Sequence, residues 1–220
     1  MTPAPHPTHR LIPSRFPPIG LFDTVATAAD LAAVMELAGW TNDRLVAERI
    51  ARLPREEWVY GRPNASVVMA AFLHAAPSGM RFNGPALGAW YAAASLATTA
   101  AEVGHHLRRE AVARGLADMR RVYRGYTARL AGAYRDLRGA RSAHPDLYAS
   151  ESYAAGQAFG EAVRASDDAG IVYDSVRHRA GVNVVCYRPH AVADLVQSGH
   201  FEIAIAAADR RIEVRRLAPP

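Results

Sequence analysis

The spacing of apolar and polar positions changes period along this chain, and each change marks an element. Near the start Arg10, Ile12 and Ser14 alternate with Leu11 and Pro13, the two-residue period of a short strand, which Pro17 and Pro18 end. Asp30 to Leu37 reads as a helix. Thr41 caps a second one, NDRLVAERIARL, that stops before Pro54. Residues 54–66 are a turn-rich connection, and SVVMAAFLHAA fits either a strand or a helix. GAWYAA then reads as a short buried strand, and Ser95 caps a helix from Leu96 to about Arg114. On that helix Leu96, Ala100, Val103 and Leu107 form the core stripe; Ser95, Glu102 and His106 share the neighbouring face.

The second half is richer in strands. Residues 118–133 read as a strand with Arg120, Arg124 and Arg129 at its edges. Residues 151–166 read as a helix with Tyr153, Gln157, Phe159 and Val163 near its inner side. GIVYDSV, the polar loop RHRAG and VNVVCYRP form a strand–loop–strand pair. Ile171, Tyr173 and Ser175 face one way on its first strand, Val172 and Asp174 the other. HFEIAIAA and RRIEVRRL close the chain as a hairpin whose arginine-rich last strand protects a sheet edge. Short strands mixed with helices, without a strict βαβ rhythm, predict an α+β fold: one domain over residues 9–220, mixed or antiparallel sheets with flanking helices, after a flexible Pro- and Thr-rich lead at 1–8.

Composition narrows the function classes. The 220 residues carry a net charge of +5, and every one of the 26 cationic residues is arginine. In a chain without lysine, the choice of arginine at one site says little about partners. The segment 104–141 holds ten arginines against three acids, a basic face for solvent, an acidic partner or nucleic acid. No apolar run is long enough to span a bilayer, no secretory leader is evident, and the single cysteine, Cys186, excludes a disulfide framework; a cytoplasmic protein is expected.

Most motifs that would name a chemistry are missing. There is no G-x-S-x-G elbow, no phosphate-cradling G-x-x-x-x-G-K-[ST] and no G-x-G-x-x-G. Cys186 sits in a buried-looking run and reads as packing. Glu102, His105 and His106 spell E-x-x-H-H, but a metal site needs three or four ligands and nothing else supplies them, so no metal is expected. What remains is an acid, arginines, tyrosines and a serine, each with a bland structural reading, on separate elements.

Four ordered blocks give these residues a context: HRLIPSRFPPIGLF, RFNGPALGAWYAAASLATTAAEVGHH, GIVYDSVRH and VNVVCYRP. Together they resemble the RES domain family, over most of residues 9–190. The resemblance implies an ADP-ribosyltransferase-like fold and the toxin of a toxin–antitoxin pair that consumes NAD. The implied partner is an Xre-type antitoxin that covers the active site, with DNA reached only through it and a cellular protein as a further target. The family arginine falls on Arg10, with Arg15 as second candidate, and the conserved turn on Arg81-Phe82-Asn83, where Met80 stands in place of a common glycine. The aromatic falls on Tyr91, the Glu on Glu102, the Ser on Ser175, and Asn183 matches a recurrent polar position. In that reading Glu102 stabilises a ribose cation, Arg10 and Arg81 hold the pyrophosphate, Tyr91 stacks on nicotinamide and Ser175 orients Glu102 or binds ribose. The ADP-ribose acceptor stays open between phosphate, water and a protein. Two competitors remain: a protein-specific ADP-ribosyltransferase that barely depletes NAD, and a non-enzymatic basic module that binds protein or nucleic acid.

Overall fold

A computed structural model describes residues 1–15, 20, 22–27, 29–30, 48–150 and 152–218. The expected helix over Asp30–Leu37, apart from Asp30 itself, and the first half of the one capped by Thr41 lie outside the described residues; in the second half 48–50 are helical and 51–53 form a turn and bend. The alternating segments assemble into one eight-stranded sheet. Its strands are β1 (Thr8–Pro13), β2 (Trp90–Ala93), β3 (Asp118–Leu130), β4 (Tyr134–Asp136), β5 (Gly170–Asp174), β6 (Val182–Cys186), β7 (Val192–Ala206) and β8 (Ile212–Leu217). They lie in the order β4-β5-β6-β2-β1-β3-β7-β8. Only β4 and β5 run parallel; every other neighbouring pair is antiparallel. With its flanking helices this is the mixed α+β architecture that the sequence predicts, and β8 closes the sheet as its arginine-bearing edge.

Among the elements lying wholly in the described residues, three α-helices pack on the sheet: α1 (Ala65–Leu73), α2 (Leu96–Ala113) and α3 (Ala154–Arg164). The ambiguous SVVMAAFLHAA resolves as helix α1, buried nearly all round, which is why its apolar run shows no face. Its side of the sheet holds one cluster with Phe72, Trp90, Val172, Val184 and Cys186. The other side carries two. One gathers Phe82, Ile171, Tyr173, Val185 and Tyr187 beside α3. The second gathers Leu11, Ala100, Leu107, Tyr123, Phe201 and Ile203 beneath α2. Strand alternation sorts these residues as expected, with Val172 on one face and Ile171 and Tyr173 on the other.

Several expectations are adjusted. Helix α3 begins at Ala154, so Tyr153 stands at its N-cap rather than within it. Its inner side holds Val163, with Phe159 packed half-buried against the same cluster and Gln157 donating to Ser78 O and Met80 O, as expected, and adds the buried Gly156 and Gly160. Arg124, read as an edge cation of β3, is buried. The lead segment carries two backbone bonds between Thr2 and Tyr134, and Thr8 already belongs to β1. No described helix is long and apolar enough to cross a membrane.

One detail of topology positions the site. β1 and β2 are neighbours through a single pair, His9 and Ala93. Past that pair the strands part, and a cleft of about 320 Å³ opens there against α2 and the end of α1.

Candidate active site

Helix α2 is placed by its first turn. Ser95 caps it, its Oγ accepting from Thr98 N at 3.1 Å, as the sequence predicts. Thr99 Oγ1 donates to His9 O at 3.0 Å, tying the helix to β1. Two turns on, Glu102 faces β5 and β6. Its Oε1 accepts from Ser175 Oγ at 2.7 Å and from Asn183 Nδ2 at 2.7 Å. The serine and asparagine are 6% and 3% exposed, so both donors are held away from water. Ser175 is itself fixed: its Oγ accepts from the backbone N–H of Arg177 at 3.1 Å and of His178 at 3.0 Å, and its own N–H donates to Gly181 O at 2.8 Å. Both donors meet the same carboxylate oxygen. Oε2 makes no hydrogen bond among the described residues and is left for the cleft that Glu102 lines.

The turn at 80–83 supplies the opposite wall. Met80 N donates to Asn83 O at 2.8 Å, closing a tight reversal. The residue that needs left-handed backbone there is Gly79, at φ +70°; a Cβ on it would lie 2.3 Å from Asn83 O. Met80 is therefore compatible with the turn, because the glycine stands one position earlier. Tyr91 locks the loop from β2. Its hydroxyl donates to Asn83 Oδ1 at 2.8 Å and accepts from Phe82 N at 3.0 Å. Desolvation pushes that phenol above its usual range, so it stays protonated. Asn83 spends its amide on Gly84 O and Leu87 O, at 2.8 and 3.1 Å.

The arginines differ in how much of each fork is free. Arg81, 7% exposed, donates through Nη1 to Leu147 O at 3.0 Å and Ala149 O at 2.8 Å and lies 4.8 Å over the Tyr153 ring. Arg10 donates through Nη1 to Tyr91 O at 2.7 Å and lies 4.6 Å over the Trp90 ring. It thereby satisfies a β2 carbonyl where β1 and β2 part. Desolvation pulls Arg10 down to about 10, which leaves it cationic at neutral pH. Arg15 is exposed, beyond the end of β1, and does not line the cleft; its charge acts on Glu110 and Tyr123.

The cleft thus brings together Arg10, Arg81, Asn83, Tyr91, Glu102 and Asn183, with Ser175 behind Glu102. It also recruits Tyr153, Tyr173, His106 and Arg177, to which the sequence reading gave no role at a site. For Tyr173 a signal existed: in the sequence pattern it shares a face with Ser175, which stands just past the end of β5. Arg177 had none beyond its place in a polar loop. The two histidines beside Glu102 part company: His106 lines the cleft, while His105 has a buried, unpartnered Nε2 and is pushed down to about 4 by burial and the charges of Arg177, His106 and nearby arginines. Among the described residues no three His, Cys, Asp or Glu side chains cluster as metal ligands would. Cys186 is buried in β6, its thiol pushed up to about 11.

Comparison with known proteins gives this arrangement a family. The RES domain matches residues 49–206, and the chain belongs to that family. The matched stretch contains Arg81, Asn83, Tyr91, Glu102, Ser175 and Asn183, whereas Arg10 and Arg15 precede it. Among solved structures, the M. tuberculosis MbcT–MbcA toxin–antitoxin complex is similar at 22% identity and a TM-score of 0.41, over 60% of this chain and 74% of that one. No curated protein matches.

Proposed function

We propose that this protein is the toxin of a toxin–antitoxin pair and that it cleaves NAD between nicotinamide and ribose, passing ADP-ribose to phosphate, water or a protein. One observation carries the reading: a cleft-lining glutamate whose Oε1 is fixed by two buried donors, Ser175 just past the end of β5 and Asn183 in β6. Such fixation suits a carboxylate that must face a developing positive charge without reorganising. The C1′–N bond breaks with its electron pair going to the nicotinamide nitrogen, and the ribose becomes oxocarbenium-like. Oε2 of Glu102 stabilises that cation electrostatically. Ser175 and Asn183 act as positioning residues through Oε1. Arg10 and Arg81 give the cleft the positive potential that an anionic dinucleotide requires. The tyrosines on its wall offer ring faces to the cationic nicotinamide. At about 320 Å³ the cleft is at the small end for ligand pockets and suits the nicotinamide riboside half better than the whole dinucleotide. An Xre-type antitoxin would silence the protein by covering this mouth, and the cytoplasm is where NAD and such a partner meet it.

The basic-module alternative is less favoured because much of the positive segment is already neutralised. Glu110 pairs with Arg114 and Arg121, Asp194 with Arg129, Asp168 with Arg135 and Asp136 with Arg138.

The test follows free nicotinamide after purified protein, freed of antitoxin, meets NAD with and without phosphate. Glu102→Gln is expected to slow release by about 10²-fold or more, and Ser175→Ala by about tenfold through the lost charge-assisted bond. Equal, slow release by wild type and Glu102→Gln in every buffer would sink the assignment. Labelled NAD in a lysate then separates acceptors, a single labelled band marking a protein target.

A further inference from the structure

Three arginines line the cleft, and they are not equivalent. Arg10 and Arg81 each commit Nη1 to backbone carbonyls and one guanidinium face to an aromatic ring. Arg177 commits nothing. Among the described residues its side chain makes no hydrogen bond, ion pair or ring contact, yet it lines the cleft and is only partly exposed. Its backbone is the fixed part: its N–H donates to Ser175 Oγ, the atom that in turn donates to Glu102. The loop that carries it is anchored on both sides. His178 Nδ1 lies 2.9 Å from Thr98 Oγ1 at the start of α2, and Gly181 N donates to His178 O at 3.0 Å. Ala180 holds a left-handed conformation, φ +57°, to complete the reversal. On α2, burial first and the Arg177 charge after it disfavour protonation of His105 and His106. Arg177 thus lines the same cleft as Glu102 and His106, and among the described residues all five of its guanidinium N–H groups are unclaimed.

From this we infer that Arg177 is the arginine that grips the substrate's phosphate directly, while Arg10 and Arg81 build the walls and supply background potential. The ligand class is a phosphate ester attached to the ribose whose C1′ faces Glu102. A forked donor matches two phosphate oxygens. Its backbone link through Ser175 to Glu102 sets the distance between the anion site and the charge-stabilising carboxylate. Arg177 would thus make the site select phosphorylated substrates over bare nicotinamide riboside. The inference rests on the reaction proposed above.

The experiment compares NAD with nicotinamide riboside, which carries the same scissile bond and no phosphate. Arg177→Gln keeps the backbone N–H to Ser175, so the Glu102 arrangement is retained. It is expected to lower kcat/KM for NAD by about 10–100-fold, mostly through KM. Its kcat/KM for nicotinamide riboside should stay within about twofold of wild type. Arg177→Lys, a point charge without the fork, should fall between. An equal loss on both substrates, or none on either, overturns the assignment. In parallel, inorganic diphosphate is titrated calorimetrically into wild type and Arg177→Gln, with binding expected to weaken by about tenfold or more. Identical binding, or no binding to wild type, also overturns it. If wild type cleaves neither substrate, the reaction reading fails, and the diphosphate titration still decides the role of Arg177.

Discussion

Replacing Gly160 by alanine tests how the arginine turn is held. Gly160 lies on the inner side of α3, and a Cβ there would sit 1.9 Å from Phe82 O, 2.6 Å from Phe82 C and 2.7 Å from Tyr187 Oη. Ordinary contact begins near 3.4 Å, so about 1.5 Å must be found between two backbones, with no flexible side-chain end to yield against Phe82. The same oxygen accepts the Tyr187 hydroxyl at 2.7 Å, so the turn cannot retreat without stretching that bond. Alanine gains about 1 kcal/mol of helix propensity over glycine. Overpacking typically costs about 1–3 kcal/mol, and a backbone clash lies at or beyond the upper end. The net is a loss of about 2 kcal/mol, read as a fall in Tm of about 4–8 °C for a chain of this size. The turn also carries Arg81 and Asn83, and an ångström-scale displacement of positioned groups costs about 10²-fold in rate, read as nicotinamide release. Gly84→Ala is the control in the same loop. Its nearest contact would be Glu161 Oε1 at 3.9 Å, and Tm is expected to hold. A Gly160→Ala protein that melts at or above the wild-type temperature with full nicotinamide release would refute the close approach of α3 to the turn.

Two further outcomes follow from burial. The Cys186 thiol, fully buried and pushed up to about 11, should resist a thiol reagent at pH 8 in the folded protein and react fully in denaturant; rapid native labelling would contradict its place in β6. His105, pushed down to about 4 from 6.5, stays neutral in the folded state while the unfolded chain takes up its proton. Stability should therefore fall as pH drops from about 6.5 towards 4, with no further loss from this group below that. Urea midpoints across that window should fall less steeply for His105→Leu than for wild type, and parallel slopes would exclude His105 as a source.

Period and capping chemistry are local, and they were legible. The strands β1, β2, β3, β5 and β6, the cap at Ser95 and the split of β5 into two faces follow from neighbours one to four residues apart. The acid, serine and asparagine could be named through their resemblance to a family pattern, yet no spacing in the chain states that one carboxylate oxygen takes both donors. Glu102 lies 73 residues from Ser175 and 81 from Asn183, and only the pairing of β2 with β6 and of β6 with β5 brings them under α2.

Tertiary structure also decided what each arginine does. Arg10, Arg15, Arg81 and Arg177 are alike as letters. Their difference is which carbonyl, ring or open space their long side chains meet, and that depends on contacts such as Arg10 with Tyr91 O or Arg81 with Leu147 O, 81 and 66 residues away. The same holds for Gly156 and Gly160, which serve as the surface on which the Arg81–Phe82 backbone rests. By itself the sequence determined the elements, their faces and the kinds of group at the site, because these depend on short-range sterics and hydrogen bonding. Which groups meet, and which remain free to bind, came only with the folded chain, because a desolvated cleft is built from contacts that no local pattern encodes.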